Sequence, residues 1–206
     1  AIKRMCDIFA ALFGIILLTP LWIIVAAMVR LNDGGPAFFT QERVGLNGKP
    51  FTMFKFRTMR VDAEELKASL MEANEAHSSA GNSIVFKMAN DPRITRIGAF
   101  LRKTSIDELP QLWNVFIGDM AFIGPRPERK YFIDQIMAVD PRYKYLYQVR
   151  PGVTSYATLH NGYATTLEEM LTRLESDLYH LQHRSLLFNL KILFKTFISI
   201  VSGKKF

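Results

Sequence analysis

From Ile8 to Val29 the chain reads IFAALFGIILLTPLWIIVAAMV, a run without one charged side chain. A helix needs about 20 apolar residues to cross a hydrocarbon core, so this segment is long enough to cross or deeply enter a membrane. Nothing else in the 206 residues matches it. A cleaved signal peptide is the weakest reading: the run exceeds the usual signal core, and no small-x-small site precedes a plainly secreted domain. Pro20, near the middle, removes a backbone hydrogen bond and predicts a kink, with Thr19 placed to satisfy part of the opened backbone. Lys3 and Arg4 flank one end, and Arg30, Arg43, Lys49, Lys55 and Arg57 follow the other, so positive charge does not distinguish the sides. A central proline between two basic flanks suggests a re-entrant hairpin with both ends cytoplasmic. A Pro-kinked spanning helix is the competing reading.

The net charge of +7 has three candidate attractors: nucleic acid, anionic lipid and a phosphorylated substrate. Charge alone does not choose among them. The single cysteine, Cys6, excludes an internal disulfide framework and fits a reducing compartment.

Past the turn at Asn32-Asp33-Gly34-Gly35-Pro36, Asn47-Gly48 separates two apolar-alternating runs. That spacing predicts a β-hairpin from about Phe38 to Met59, its second arm setting Lys55 and Arg57 beside an aromatic surface suited to a phosphate or to lipid headgroups. Residues 62–77 read as a solvated helix and Ser78–Ser83 as a loop. Ile94–Leu101 reads as a short helix. Ser105 is placed to cap another, whose first turns carry Asp107, Glu108 and Pro110. The tail RSLLFNLKILFKTFISIV, from Arg184 to Val201, is amphipathic, basic and aromatic-rich. It suits either the membrane interface or the protein's own core.

The distinctive stretch is TSIDELPQLWNVFIGDMAFIGPRP, residues 104–127. Adjacent carboxylates at a helix start sit near backbone N–H groups and a positive dipole end, which is equally an ordinary structural pattern. Arg102, Lys103, Arg126 between two prolines, Arg129 and Arg150 before Pro151-Gly152 are cations suited to gripping a diphosphate. Asp119 adds a carboxylate of the kind that binds Mg2+ beside phosphates, although one Asp is weak evidence for a metal. His180 and His183, three apart with no third ligand near in sequence, read as ordinary packing or surface histidines.

SIDELPQLWNVFIGDMAFIGPRP, with FKFRTM and RIGAFLRKTS before it and VRPGVT after it, resembles the bacterial sugar transferase family, the monotopic phosphoglycosyl transferases. The resemblance covers nearly the whole chain, including Lys3-Arg4-x-x-Asp7 before an apolar run broken at Thr19-Pro20. It implies an α/β, mostly helical fold: a re-entrant membrane helix over residues 1–32, and over 33–206 a small catalytic domain with amphipathic interfacial helices at the cytoplasmic face of the bacterial inner membrane. It implies transfer of a sugar 1-phosphate from a UDP-sugar to a polyprenyl phosphate, releasing UMP, as the first membrane step of glycoconjugate or exopolysaccharide assembly. Asp107 then attacks the sugar-proximal phosphorus to form a covalent phosphosugar intermediate and contacts Mg2+, and Glu108 manages the metal or a proton. Lys55, Arg57, Arg102, Arg126 and Arg150 are the candidate substrate-binding cations. Homo-oligomerisation is left open.

Departures from the family pattern are the segment Ser155–Gly162, which leaves the sugar undetermined, and His183 and Asn189, which stand where Asn and Asp are usual. Glu175, Asp177, Tyr179 and Ser185 fit it. The rival from another class is a membrane scaffold with a lipid-binding basic face, which has no use for Asp107 and Glu108. Nucleic acid is excluded as partner by the membrane segment and the lack of a recognised binding module.

Overall fold

The computed structural model describes residues 2–66, 91–162 and 164–202. The apolar run becomes one helix, α1 (Ile2–Asp33), with Pro20 inside it. The Thr19 hydroxyl donates to the Ile15 carbonyl at 2.7 Å. That is one residue before the Ile16 carbonyl, which Pro20, lacking an N–H, leaves without its helical donor. Among the described residues α1 is the one helix long and apolar enough to cross a membrane. Ala11, Val25 and Val29 are buried, while Phe9, Phe13, Ile16, Leu17, Ile23 and Ile24 point outward. A row of that size on a water-exposed surface is unusual, and it marks a surface that something apolar covers.

Both ends of α1 are fastened to the same domain. Lys3 Nζ donates to the Ile123 carbonyl at 2.9 Å, and the Arg4 guanidinium donates to the carbonyls of Val115 and Phe116 at 2.5 and 2.8 Å. At the other end Asp33 accepts two hydrogen bonds from Arg57, at 2.6 and 2.5 Å. Between them Gly14 lies close against Leu112, where an added Cβ would stand 3.2 Å from a methyl carbon.

The hairpin forms with β1 (Phe38–Val44) antiparallel to β2 (Pro50–Phe56), in register from Phe38 opposite Phe56 to Val44 opposite Pro50. Asn47 and Gly48 both take the left-handed backbone their types favour, with φ of 57° and 69°. The ladder stops at Phe56, short of the expected Met59, which instead makes an isolated bridge to Ile94. Residues 63–66 are helical. The rest of the helix expected to residue 77, and the Ser78–Ser83 loop, lie outside the described residues.

Helix α2 (Arg96–Thr104) starts two residues later than expected because the Thr95 hydroxyl caps it, accepting from Gly98 N at 2.9 Å. It also runs on to Thr104. Gly98 lets α2 approach the segment after β2 so closely that a Cβ there would overlap the Thr58 carbonyl. The expected N-cap at Ser105 is corrected: Ser105 closes α2, with φ of 57° and its N–H turned back to the Arg102 carbonyl. A residue ending one helix in the left-handed region cannot offer its side chain to begin the next. A single 3-10 turn, Ile106–Glu108, follows, and α3 (Gln111–Ile117) begins only after Pro110.

Strand β3 (Ala121–Ile123) pairs in parallel with β4 (Gly152–Thr154). Helix α4 (Lys130–Val139) and a 3-10 segment, Pro141–Gln148, lie between them. Helices α5 (Tyr156–Asn161), α6 (Leu167–His183) and α7 (Leu186–Val201) complete the chain. Two small sheets among helices give the mostly helical α/β character the sequence implies. One buried cluster (Ile133, Ile136, Tyr143, Leu146, Met170, Leu174, Leu178) holds α4 and α6 together; two others seat α1 on the rest, through Ala11 with Met53, Val115 and Met120, and through Val25 and Val29 with Phe56 and Leu101. Helix α7 packs by a narrow face, with Ile192 buried and Thr196 hydrogen-bonded to Thr154 at 2.8 Å. Leu186, Leu187, Leu190, Phe194 and Phe197 remain exposed.

Candidate active site

The site is assembled where the 3-10 turn Ile106–Glu108 meets the end of β2. Asn114, fully buried in α3, accepts from Phe54 N at 3.1 Å and donates to the Thr52 carbonyl at 2.7 Å. This side chain replaces two backbone partners of β2 and so fixes the strand against the turn. Lys55, next along, extends its Nζ to Glu108 Oε1 at 2.6 Å. Arg126 reaches the same oxygen at 3.3 Å. Arg102 approaches Asp107 from α2, its Nε donating to Thr58 Oγ1 at 2.9 Å.

The two carboxylates are driven apart electrostatically. Burial raises the Asp107 pKa to about 6, against the opposing pull of Lys55 and Arg102 and with help from the negative charge of Glu108. Glu108 is buried too, but Arg126 and Lys55 more than offset its desolvation and hold it down at about 2. Glu108 is therefore held as the carboxylate by its two cations, while Asp107 is the member of the pair whose carboxylate form burial disfavours. Asp107 is the carboxylate left facing outward electrostatically: no hydrogen bond from another side chain shifts it. The expected helix-terminus support is also corrected, because both residues precede α3 on the 3-10 turn.

Of the five candidate cations, Lys55, Arg102 and Arg126 converge on the dyad. Arg57 does not: it is buried in its bonds to Asp33 and the Pro36 carbonyl, at the end of α1. Arg150 does not either, since its Nε donates to the Gly118 carbonyl at 2.7 Å and its charge acts on Lys3, Arg4 and Asp7. Asp119 lies beside Asn114, 3.4 Å from its amide nitrogen. Among the described residues no three His, Cys, Asp or Glu side chains gather as a metal site. His183 bonds the Tyr179 carbonyl and His180 bonds Asn189, ordinary packing roles.

Sequence reasoning missed the support behind Arg126. Glu128 pairs with Arg43 at 3.4 Å and with Arg173 at 3.3 Å, and Arg43 also donates to the Pro127 carbonyl at 3.1 Å. These contacts bind the Gly124–Arg129 segment to β1 and α6. Their partners lie 85 and 45 residues apart in sequence, so no local pattern announces them. Asn114 was equally silent, a polar side chain inside an apolar stretch.

Comparison with known proteins gives this geometry a setting. The UDP-N-acetylgalactosamine-undecaprenyl-phosphate N-acetylgalactosaminephosphotransferase of Aeromonas hydrophila is 38% identical over 202 residues, 98% of this chain and 44% of its own. The UDP-glucose:undecaprenyl-phosphate glucose-1-phosphate transferases of Escherichia coli and Caulobacter vibrioides are each 37% identical, over 95% and 97% of this chain and 39% and 70% of their own. The chain thus spans less than half the length of the Aeromonas and Escherichia relatives. The family model described as bacterial sugar transferase matches residues 1–203, and the chain belongs to that family.

Proposed function

We propose that the chain transfers a sugar 1-phosphate from a UDP-sugar to a polyprenyl phosphate, with Asp107 as nucleophile. The observation that carries this reading is the asymmetry of the dyad: Glu108 is neutralised by Lys55 and Arg126, while Asp107 is buried, without a side-chain donor, and titrates near 6. A carboxylate so placed is ionised at neutral pH and poorly solvated, the condition of an activated nucleophile. An Asp107 oxygen bonds to the sugar-proximal phosphorus, and the bond from that phosphorus to the bridging oxygen breaks. UMP leaves with the electron pair. A polyprenyl-phosphate oxygen then attacks the same phosphorus and the Asp107 carboxylate departs, giving polyprenyl-diphosphate-sugar. Lys55, Arg102 and Arg126 stabilise the charge that builds on the transferred group and on UMP.

Asp107 is the one carboxylate that would hold Mg2+ here, as is usual where a metal is shared with a phosphoryl substrate. Bound there, Mg2+ would neutralise phosphate charge. The activities for which the relatives are named support both substrate classes. The test is UMP release by membrane-held protein given polyprenyl phosphate, Mg2+ and a panel of UDP-sugars. Release that depends on the lipid supports the reading; none with any donor, in the full-length protein as well, sinks it.

Helix α1 is read as re-entrant, placing the site on the cytoplasmic face of the inner membrane. A spanning helix would separate its ends by a hydrocarbon core about 30 Å thick. Here Arg4 and Asp33 bond to one domain. In sealed vesicles a membrane-impermeant maleimide should label Cys6, exposed on α1, and an Asn32→Cys variant from the same side. Labelling from opposite sides would establish a spanning helix instead.

A further inference from the structure

A cavity of about 430 Å3 lies away from the dyad, between the start of α1, the Ile123–Pro125 stretch after β3, and the α6–α7 junction. Its rim carries Ile2 and Leu186, 76% and 66% exposed. Each begins an exposed apolar row, Met5, Phe9 and Phe13 on α1 and Leu187, Leu190 and Phe194 on α7. The mouth therefore opens where two surfaces that need apolar cover meet, and a ligand reaches it from the membrane more readily than from water.

The charged lining is two cations, Lys3 and Arg184, with the carboxyl of Asp177 below them. Asp7 acts most strongly on the charge of Lys3, and Arg184 and Arg150 also lie close enough to act on it. No carboxylate pairs with Arg184 among the described residues. Helix α7, of 16 residues, starts at the same wall; Ser185 Oγ already accepts from Phe188 N at 3.1 Å, so what the helix start adds for an anion is its positive dipole end. Deeper, Asp177 is 6% exposed and its Oδ1 has no hydrogen-bond partner. Burial raises its pKa to about 7, so near neutrality it is in part a protonated carboxyl, able to donate to a phosphate oxygen rather than repel it. Asp107 and Glu108 feel Lys55, Arg102 and Arg126, and neither Lys3 nor Arg184 is among the charges that act on them, which separates the two cation groups.

We propose that this cavity is a binding site for an anionic membrane phospholipid, its phosphate held by Lys3, Arg184 and the start of α7, and its upper acyl chain against the apolar wall. The inference rests on membrane placement of α1 and α7, not on the transfer reaction. A bound lipid there would join the first turn of α1 to the α6–α7 corner.

The test is native mass spectrometry of the full chain in mild detergent, in the Asp107→Asn background so that no turnover intrudes. Phosphatidylglycerol should bind with one molecule per chain and at least about tenfold more tightly than phosphatidylcholine, as two nearby cations imply. Arg184→Gln, an exposed change, should weaken phosphatidylglycerol about fivefold. Leu181→Trp, filling the cavity, should remove the bound lipid with the melting curve as control for folding. Equal retention of the two lipids, or undiminished retention by Arg184→Gln, overturns the proposal. So does displacement of phosphatidylglycerol by lower concentrations of UMP or a short polyprenyl phosphate, which would assign the cavity to a substrate. Failure of UMP release by active protein would leave this result untouched.

Discussion

Asp107→Asn is expected to lower UMP release by at least about three orders of magnitude, the scale seen when a covalent nucleophile is removed. Intact mass measurement supplies the sharper readout. Given UDP-sugar without lipid acceptor, the wild-type chain should gain the mass of one phosphosugar and the variant should gain none. The loss will not come from unfolding. A carboxyl whose pKa is about 6 when folded and about 3.9 when unfolded contributes stability below pH 4 that disappears as pH rises through 6. At pH 7 the ionised Asp107 is thus held against its own preference, and a neutral amide of the same shape relieves that. The variant should melt no lower than the wild type. Retained UMP release in Asp107→Asn removes the covalent scheme.

Lys55→Met should produce the second large effect, on both rate and pH profile. Lys55 is the strongest cation acting on Asp107 and the closer partner of Glu108. Removing one partner of this partly buried, charge-assisted hydrogen bond costs about 2–3 kcal/mol, which at the transition state is a loss of roughly thirtyfold to a hundredfold in kcat/KM at pH 7. The acid limb, set near 6 by Asp107 in the free protein, should move to higher pH because burial is then opposed only by Arg102 and a backbone hydrogen bond. An unmoved limb would mean that a group other than Asp107 controls it. Arg57→Met serves as the contrast: its partner is Asp33, so it should reduce thermal stability without moving the limb.

How much of this was legible follows from range. Asn47-Gly48 and the apolar run are local signals, and the β-hairpin with its left-handed turn and the long helix followed from them; Pro20, read as the break of a re-entrant hairpin, lies inside one helix from Ile2 to Asp33. Asp107 and Glu108 were found through the ordered motif around them, but their support was misassigned: Ser105 had the chemistry of a helix cap and was already in use ending α2. The five candidate cations carried identical charge in sequence, and only folding sorted them, Arg57 and Arg150 to structural bonds at the two ends of α1. Asn114 and Glu128 act through partners in other elements, which composition and spacing do not encode. The tail helix, read for either the membrane interface or the protein's own core, packs one narrow face on the domain and leaves a broad apolar face exposed.

The fastening of α1 also sets an order of events during synthesis. Arg4 leaves the ribosome 111 residues ahead of Val115, and Lys3 120 residues ahead of Ile123, the carbonyls that eventually hold them. At about 5–20 residues per second the helix waits from roughly 6 to more than 20 seconds before its anchors exist. On the membrane placement proposed above, α1 settles in the bilayer before these contacts exist, and the domain assembles afterwards against a helix already in place. So placed, the membrane holds α1 until its anchors form, and defects in the Val115–Ile123 region should leave inserted but undocked chains as their typical failure product.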